Sequence, residues 1–312
     1  MADILIMGEM LVEIMRTEED VQLYEQGIFC GPFPSGAPAI FIDAAARLGC
    51  KTAIIGGVGK DDFGKCLLER LEKDGVDCSH VIESEEKATG VAFVTYFKDG
   101  SRKFIFHMGN TPAVEAKAPL EGDFKDVKFM HIMGCSLMAN KDFAQEILKT
   151  MHMMAASGAK ISFDPNIRKE LFTDDSIYAV IKEVMDNTNV FLPGVEELLM
   201  TMGETNIEDA VKKCFESPKM EVLALKNGSK GSKIYTRDNV VEVGVYKVEQ
   251  KDATGAGDCF DGAFIAGLVQ GKNMEEAARM GAAAGALNAA AFGPMEGKIS
   301  IETVQDMINR NR

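Results

Sequence analysis

The stretch KDATGAGDCFDGAFIAGL (residues 251–268) places the residues 255–257, Gly-Ala-Gly, between a predicted strand at 240–249 and an apolar helical pattern. At such a strand-to-helix turn the first amide N–H groups of the helix have no acceptor within the helix, and the helix dipole makes that end positive. Glycines let this backbone approach an anion without a side chain in the way. The stretch therefore predicts a turn that binds phosphate, or a transition state that carries phosphate charge.

Asp258 follows these glycines directly, and two functions fit a carboxylate at this point. It can cap the helix, although a carboxylate beside a bound anion would repel it. It can also be a general base that takes the proton from a hydroxyl group attacking the phosphoryl group. The residues alone leave both open. No G-x-x-x-x-G-K-[ST] motif occurs, and Asp62 stands at the third glycine of a dinucleotide-like GGVGKDDFG, so neither a Walker loop nor a Rossmann dehydrogenase is expected.

Outward from this turn, short apolar runs alternate with helical patterns along the chain. This alternation predicts an α/β fold with a doubly wound, mostly parallel sheet and helices on both faces. The predicted strands lie at 4–8, 52–58, 128–134, 160–164, 189–193 and 222–226, and apolar residues at helical spacing predict helices at 37–48 and 62–73.

Two segments interrupt the alternation. Residues 89–110 read as two strands joined at KDGS, which is a hairpin signal, and the region after residue 11 is irregular and partly stranded. We expect these segments, at about 11–34 and 88–110, to form a small β-sheet lid beside the main sheet; the alternative is an edge extension of the main sheet. The whole chain, 1–312, is expected to be one domain.

Composition limits the partners and the compartment. The net charge is −14, and no cluster of Lys and Arg offsets it, so neither nucleic acid nor an anionic membrane is an expected partner. The seven cysteines and four histidines lack disulfide-framework or metal-ligand spacing, which favours free thiols in the cytoplasm. No uncharged apolar run of about 18 residues occurs, and MADILIMGEM reads as a buried strand rather than a signal peptide.

Several motifs in the same order resemble the PfkB/ribokinase family of carbohydrate kinases. The resemblance spans nearly the whole chain, so its specificity does not depend on one motif. The segments that carry it are SGAPAIFIDAAARLG (35–49), GGVGKDDFGKCLLERLEKDGVD (56–77), FDPNIRKELF (163–172), LKNGSKGSKIY (225–235) and DATGAGDCFDGAFIAG (252–267).

The resemblance implies a ribokinase-like fold and an ATP-dependent phosphotransferase that acts on a sugar hydroxyl. Asp258 would be the catalytic base, and Gly255, Ala256 and Gly257 would form the anion hole for the γ-phosphate. Small residues of the helix at 278–293 would pack beside the adenine. Residues along the ATP would be Lys226, Gly228, Ser229 and Gly231, with Asn288 as the polar contact to the base.

The resemblance also implies metal ions. Mg²⁺ is expected with the nucleotide, and Glu197 matches the acid of an N-x-x-E motif that organises Mg²⁺ through water. The asparagine of that motif is Gly194 in this chain, which weakens the assignment. Asp252 would shape the loop before the anion hole, near a position that binds a monovalent cation such as K⁺ in this family.

The sugar is less clearly indicated. Arg168 matches a position that can pair with a sugar carboxylate, but His107 stands where relatives that bind acid sugars carry a second arginine, which favours fructose or tagatose over 2-keto-3-deoxygluconate. A ribokinase, a nucleoside kinase and a sugar or nucleotide sensor without turnover remain alternatives. The residues expected at the sugar are Glu9, Glu13, Gly36, Ala37, His107, Asp164, Asn166, Arg168 and Asp258.

Pairing of lid strands in this family implies a homodimer through the lid. The alternation of Val91, Phe93, Thr95 and Phe97 would supply a face for this contact.

Overall fold

The structure is a computed structural model that describes residues 2–167 and 176–310. Thirteen strands lie within these ranges. In chain order they are β1 (Ile4–Met7), β2 (Leu11–Arg16), β3 (Phe29–Ser35), β4 (Thr52–Gly59), β5 (Val76–Ser84), β6 (Gly90–Tyr96), β7 (Arg102–His107), β8 (Phe129–Met133), β9 (Lys160–Asp164), β10 (Val190–Phe191), β11 (Val222–Lys226), β12 (Ser232–Tyr235) and β13 (Val240–Val243).

Ten α-helices connect or cover these strands in the described ranges, and none of them is both long enough and apolar enough to span a bilayer. The helices are α1 (Ala37–Arg47), α2 (Asp62–Lys73), α3 (Gly134–Ala139), α4 (Lys141–Ala156), α5 (Ser176–Asn187), α6 (Val195–Met202), α7 (Ile207–Cys214), α8 (Ala256–Val269), α9 (Met274–Ala289) and α10 (Ile301–Arg310).

The main sheet of the described residues has nine strands in the order β13-β12-β11-β10-β9-β8-β1-β4-β5. The strands from β11 to β5 pair in parallel, while β12 and β13 are antiparallel additions at one edge. Parallel strands need helical crossovers, which cover both faces of the sheet. One apolar core therefore lies under α1, α2, α8, α9 and α10 and a second under α3 to α7. The predicted α/β fold with helices on both faces is confirmed.

The second sheet is the predicted lid. Its order is β3-β2-β6-β7, with β2 and β6 parallel and the two outer pairs antiparallel. The hairpin between β6 and β7 closes where predicted, because Gly100 has φ +82° and the amide of Phe97 donates to the carbonyl of Ser101. The alternative, an extension of the main sheet, is wrong.

One predicted strand is too long. The alternation at 240–249 predicts a strand throughout, but β13 ends at Val243 and residues 244–255 form a loop before α8. The apolar side chains beyond Gly244 continue the alternation without a partner strand. Val245 is 46% exposed, and this loop forms one wall of a cavity described below.

Candidate active site

The turn before α8 has the backbone conformation that its glycines predict. Gly255 has φ +76°, and a Cβ atom there would lie 2.4 Å from the carbonyl oxygen of Pro294, so only glycine fits. The amide of Ala256 donates to the carbonyl of Ala253 at 3.3 Å and is therefore already engaged. Gly257 and Asp258 follow in the first helical turn, whose N–H groups lack acceptors within a helix. The turn thus offers a positive helix end.

Asp258 is buried at this helix end and faces a cavity. The Oδ1 atom of Asp258 accepts a hydrogen bond of 2.9 Å from Nδ2 of Asn166, which follows β9. Asn166 adopts φ +37°, a conformation that asparagine tolerates better than most residues. The amide side chain therefore orients one oxygen of the carboxylate, as a general base requires.

Lys226, at the end of β11, lies between two buried carboxyl groups. The Nζ atom donates to Oδ2 of Asp164 at 2.9 Å and to Oδ2 of Asp261 at 2.8 Å. Burial opposes the ionisation of Asp164, but the charge of Lys226 and the hydrogen bond from its ammonium group, with smaller contributions, together outweigh burial, and the pKa of Asp164 is lowered. Burial likewise opposes the charge of Lys226, and the two carboxyl groups reverse this, so the pKa of Lys226 is raised.

A cavity of about 290 Å³ lies between the main sheet and the lid, and acidic side chains dominate its polar lining. The structure brings together here seven of the nine residues expected at the sugar. These are Glu9, Glu13, Gly36, Ala37, Asp164, Asn166 and Asp258.

The two glutamates of this cavity are held by neighbouring hydroxyl and thiol groups. The carboxylate of Glu9 accepts hydrogen bonds from the hydroxyl group of Ser136 and, at 3.1 Å, from Sγ of Cys135. The Oγ atom of Ser35 donates to Oε1 of Glu13 at 2.7 Å. Both glutamates are less than 7% exposed, so their orientation is fixed before any ligand arrives.

Gly36 forms the floor of the cavity at the start of α1. It has φ +100°, and a Cβ atom there would lie 2.7 Å from the carbonyl oxygen of Glu9. The main chain therefore comes close to the cavity without a side chain, as expected for Gly36 and Ala37.

The lid forms the roof of the cavity with one face of β7. Because side chains alternate along a strand, Arg102, Phe104 and Phe106 line the cavity. His107 lies on the opposite face, with its ring 6.0 Å from that of Phe93, so the structure does not support the expected contact of His107 with a sugar. Arg168, the other residue expected to contact an acid sugar, lies outside the described residues.

A second, more apolar cavity of about 530 Å³ adjoins the first. Its wall includes the loop 244–250 and a stripe of small residues of α9, the helix that was expected to pack beside the adenine. The lining contains Lys226, Gly228, Ser229 and Gly231 as well as Ala256, Gly257, Ala282, Gly285, Ala286 and Ala289. The two cavities share Lys226, Gly228, Ala253 and Gly257, so they meet at the glycine turn.

Asn288, expected to contact the base, lines neither cavity. Its side chain is fully buried, and Nδ2 donates to the carbonyls of Thr254 at 2.8 Å and Pro294 at 3.0 Å. Its Oδ1 atom accepts from the amide of Gly297 at 3.2 Å. Because these backbone groups occupy the amide, the prediction that Asn288 contacts the base is wrong, and Asn288 instead holds the turn before α8.

The two residues expected near metal ions both bind main-chain amides. Glu197 accepts hydrogen bonds from the amides of Gly194 at 2.7 Å and Ile167 at 2.9 Å. Burial raises the pKa of Glu197, and the charge of Asp164 adds to this shift. Asp252 accepts from the amides of Thr254 at 2.9 Å and Gly293 at 3.2 Å, which gives the turn its shape.

Sequence reasoning missed the residues through which the lid contacts the turn. The hydroxyl group of Tyr96 lies 3.2 Å from both Oδ2 of Asp252 and Oγ1 of Thr254, and Nη1 of Arg102 donates to Oγ1 of Thr254 at 2.9 Å. It also missed Asp261. Its spacing of three residues from Asp258, which puts both on neighbouring turns of one helix, was a usable signal.

The sequence and the fold are similar to those of known carbohydrate kinases. The family profile described as pfkB family carbohydrate kinase matches residues 1–300. Fructokinase-1 of Oryza sativa subsp. japonica is 34% identical over 292 residues, which cover 90% of each chain. A crystal structure named Ribokinase II (apo form) from E. coli has a TM-score of 0.94 at 37% identity, and its complex with ATP and Mg²⁺ has 0.93 at 36%; each covers 99% of this chain and 100% of that chain.

Proposed function

The chain belongs to the pfkB family of carbohydrate kinases, and from this premise we propose that it transfers the γ-phosphate of ATP to a hydroxyl group of a ketohexose such as fructose or tagatose. One observation carries the proposal. Asp258 and the glycine turn lie where the polar cavity and the apolar cavity meet. A sugar hydroxyl in the first cavity and a nucleotide phosphate in the second would therefore face each other across this turn.

The residues at the junction supply the chemistry of such a transfer. Asp258 removes the proton of the attacking hydroxyl group, while Asn166 keeps its carboxylate in place. The amides of the first turn of α8 and the positive end of the helix stabilise the charge of the transferred phosphoryl group. Closure of the lid over the sugar excludes water, which would otherwise compete with the sugar as the acceptor.

The apolar cavity fits ATP as the co-substrate. Alanine and glycine residues of α9 let a flat base approach closely, and the same cavity ends at Lys226 and Gly257. A relative of 36% identity has been crystallised with ATP and Mg²⁺. Gly228, Ser229 and Gly231 would lie along the phosphates.

The donor set also fits Mg²⁺ bound with the nucleotide. The described residues contain no cluster of three side chains that could hold a metal ion alone, and Mg²⁺ bound to nucleotides commonly uses phosphate oxygens and water with few carboxylates. Both oxygens of Glu197 already accept amide hydrogens, so Glu197 would hold the ion through water. The ion would neutralise phosphate charge. Asp252, which is buried where two loops meet, is our candidate for contact with a monovalent cation such as K⁺.

The charge of the polar cavity favours a neutral sugar. Glu9, Glu13, Asp164 and Asp258 line it together, and carboxylates accept hydrogen bonds from hydroxyl groups but repel a second carboxylate. The 34% identical rice relative is named a fructokinase.

A kinase for 2-keto-3-deoxygluconate is the second candidate. Arg102 lines the polar cavity from the lid and supplies a cation that sequence reasoning did not place there. A guanidinium group pairs well with a carboxylate.

An assay of ADP release with a panel of acceptors tests the proposal. We expect turnover with fructose or tagatose and little with 2-keto-3-deoxygluconate, ribose or adenosine. The Asp258→Asn variant, purified in the same way, is the control that measures ADP released by contaminating kinases. Preference for the keto-deoxy acid would favour the second candidate, and binding of ATP without turnover of any acceptor would contradict the kinase proposal.

The lid also supports the proposal of a homodimer. Phe93 and Ile105 pair across the hairpin on the face turned away from the cavity, and the ring of Phe29 packs edge-on against that of Phe93. Phe29 and Ile105 are 37% and 41% exposed. A second copy of the lid would cover this apolar face.

Two further expectations remain part of the proposal. We propose that residues 1–312 act as one kinase domain with lid segments at 11–34 and 88–110, because strands of both segments form the roof of the sugar cavity. We also propose a cytoplasmic location, because all seven cysteines are unpaired thiols in the structure and a reducing compartment preserves them.

A further inference from the structure

A chain of hydrogen bonds links Asp258 at the start of α8 to Asp261 one turn later in the same helix. It passes through residues at the ends of the strands β9 and β11. Each member is buried or nearly so. The side chain of Asn166 donates to Asp258 at 2.9 Å, and the main-chain amide of Asn166 donates to the side chain of Asp164 at 3.0 Å. The ammonium group of Lys226 then donates to Asp164 at 2.9 Å and to Asp261 at 2.8 Å. Asp261 thus closes a loop that begins at the proposed base.

The Lys226 ammonium group at the centre of this chain lies beside the glycine turn. A Cβ atom at Gly257 would be 3.8 Å from Nζ of Lys226, and Lys226 lines both cavities. An ammonium group has three N–H donors, and two of them are directed at Asp164 and Asp261. The third can reach an anion at the turn.

The net charge of Lys226, Asp164 and Asp261 together depends on whether one of the two carboxyl groups is protonated. Two ionised carboxylates around one ammonium group would leave a net negative charge beside a turn that must attract phosphate. Both oxygens of Asp164 accept hydrogen bonds, from Asn166 and Lys226, whereas Asp261 accepts one on Oδ2 and its buried Oδ1 atom has no hydrogen-bond partner among the described residues. Burial raises the pKa of Asp261 well above its ordinary value; Lys226 opposes this, and the charge of Asp164 adds to it. Since the pKa of Asp164 is lowered, the proton resides on Asp261.

The other titratable groups nearby do not change this balance. The charge of Glu197 of α6 contributes to the raised pKa of Lys226, and burial raises the pKa of Glu197 itself. His131 of β8 stacks on Phe41, and burial lowers its pKa to about 3, so it is neutral. Among the described residues, Lys226 is therefore the cation that faces Asp261.

We propose that Asp261 is a positioning residue for phosphoryl transfer: it fixes the Lys226 ammonium group beside Gly257 and, through Asp164 and Asn166, keeps Asp258 aligned. Asp261 is fully buried, so it acts through Lys226 and does not touch the substrate. This inference rests on the kinase function proposed above. It adds to that function a residue whose neutral form keeps the positive charge of Lys226 effective at the turn.

Two substitutions separate positioning from simple packing. Asp261→Ala should lower kcat about 10–100-fold, since misplacement of a catalytic group by about 1 Å costs this much, while the KM for the sugar changes less than about threefold. Asp261→Asn keeps the shape and an oxygen acceptor for Lys226 and should recover most of the loss. In wild type, kcat should fall at alkaline pH as Asp261 ionises, and Asp261→Asn should remove this alkaline decline.

Asp43→Asn is the matched control, because Asp43 is an equally buried carboxyl group that pairs with arginines outside both cavities. It should leave the alkaline limb of kcat unchanged. Equal losses in Asp261→Ala and Asp261→Asn, or alkaline limbs that coincide in wild type and Asp261→Asn, would overturn the proposal.

A measurement without turnover separates this inference from the kinase function. A carboxyl group whose pKa is raised in the folded state stabilises the fold at acidic pH, and this contribution is lost as the pH rises through the raised value. The free energy of unfolding of wild type, relative to Asp261→Asn, should therefore decrease from pH 5 to pH 9. A pH-independent difference would refute the proton on Asp261 even in an active enzyme. If wild type shows this pH-dependent difference in stability but no turnover, only the proposed kinase function is refuted.

Discussion

Tyr96 and Arg102 lie directly opposite each other in the lid hairpin, and both side chains hydrogen-bond the loop that precedes α8. The pair therefore connects the roof of the sugar cavity with the turn that would hold the phosphoryl group. These contacts fix the position of the lid relative to the turn. Tyr96 also approaches Phe292, which extends the contact to the loop after α9.

Removal of the arginine tests this connection. Arg102→Ala should lower kcat/KM for the sugar about 10–100-fold, because a hydrogen bond from a charged donor contributes about 1.5–3 kcal/mol. Steady-state kinetics measure the effect. Lys103→Ala is the matched control, since Lys103 neighbours Arg102 on the opposite face of β7, and it should remain within about twofold of wild type. Equal effects of both substitutions would mean that Arg102 acts only through the charge or fold of the lid.

Substitution of Asp258 decides between a helix cap and a base. Asp258→Asn should lower kcat about 10²–10⁴-fold, the usual contribution of general base catalysis, while calorimetry shows nearly unchanged ATP affinity. Asp62→Asn, at an acidic residue in the first turn of α2, is the control and should affect only stability. Retention of kcat within about threefold in Asp258→Asn would leave the residue as a cap.

Asn288 should be important for stability rather than for recognition of the base. Asn288→Ala leaves the buried backbone groups of Thr254, Pro294 and Gly297 without their partner, at a cost of about 2–4 kcal/mol in the free energy of unfolding. Urea denaturation measures this loss. Asn187→Ala, at a half-buried asparagine of α5 that also donates to a carbonyl group, should cost less than about 1 kcal/mol. If Asn288→Ala instead raises the KM for ATP strongly and leaves the free energy of unfolding unchanged, Asn288 contacts the adenine base after all.

Asp43 should make stability depend on pH. Burial raises the pKa of Asp43 from 3.8 to about 7, against the charge of Arg70 and with a contribution from Asp74. Because the folded-state pKa is raised, its stabilising contribution is present below about pH 4 and decreases as the pH rises to about 7 and beyond. The difference between 3.8 and about 7 corresponds to about 4 kcal/mol at most.

Urea denaturation of wild type and Asp43→Asn between pH 5 and pH 8 measures this effect. The stability of wild type relative to the variant should fall across the range. Asp186→Asn, at an exposed carboxylate of α5, is the control and should differ from wild type by a constant amount. A constant difference for Asp43→Asn as well would show that the two neighbouring arginines keep Asp43 ionised throughout.

The apolar outer face of the lid can be tested by its effect on assembly. Ile105→Glu places a charge on that face and should shift the molar mass in light scattering from that of a dimer to that of a monomer. Ile301→Glu, at an isoleucine of α10 that is 56% exposed, is the control and should not change it. A monomer in wild type, or a dimer in Ile105→Glu, would contradict the proposed contact.

Local patterns predicted the elements whose ends are determined by neighbouring residues. The helix at 62–73 was predicted with its observed bounds, because apolar residues recur at helical spacing and Asp61 caps the first turn through the amides of Phe63 and Gly64. The residues of the sugar cavity were predicted from the family resemblance, and in the structure seven of them line one cavity.

The errors arise where the fold, rather than the local pattern, decides. The alternation after Val243 looks like a strand, but no partner strand is available, and the chain turns to the nucleotide cavity. The face on which His107 lies depends on the register of the hairpin, which the sequence does not specify by itself. Asn288 is polar in a helix of small residues, and only the neighbouring loops show that its amide turns inward.

Strands β2, β3 and β7 of the lid line the polar cavity and not the apolar one. In the described part of the chain, the apolar cavity takes its lining from β11, β12, the turn at 228–231, the loop at 244–255, α8 and α9. Movement of the lid would therefore uncover the polar cavity and leave the lining of the apolar cavity unchanged, so we expect release of the phosphorylated product, but not of ADP, to depend on the lid. We expect departure of ADP to come first in each cycle, and the rate of roof opening to limit how fast a saturated enzyme can work.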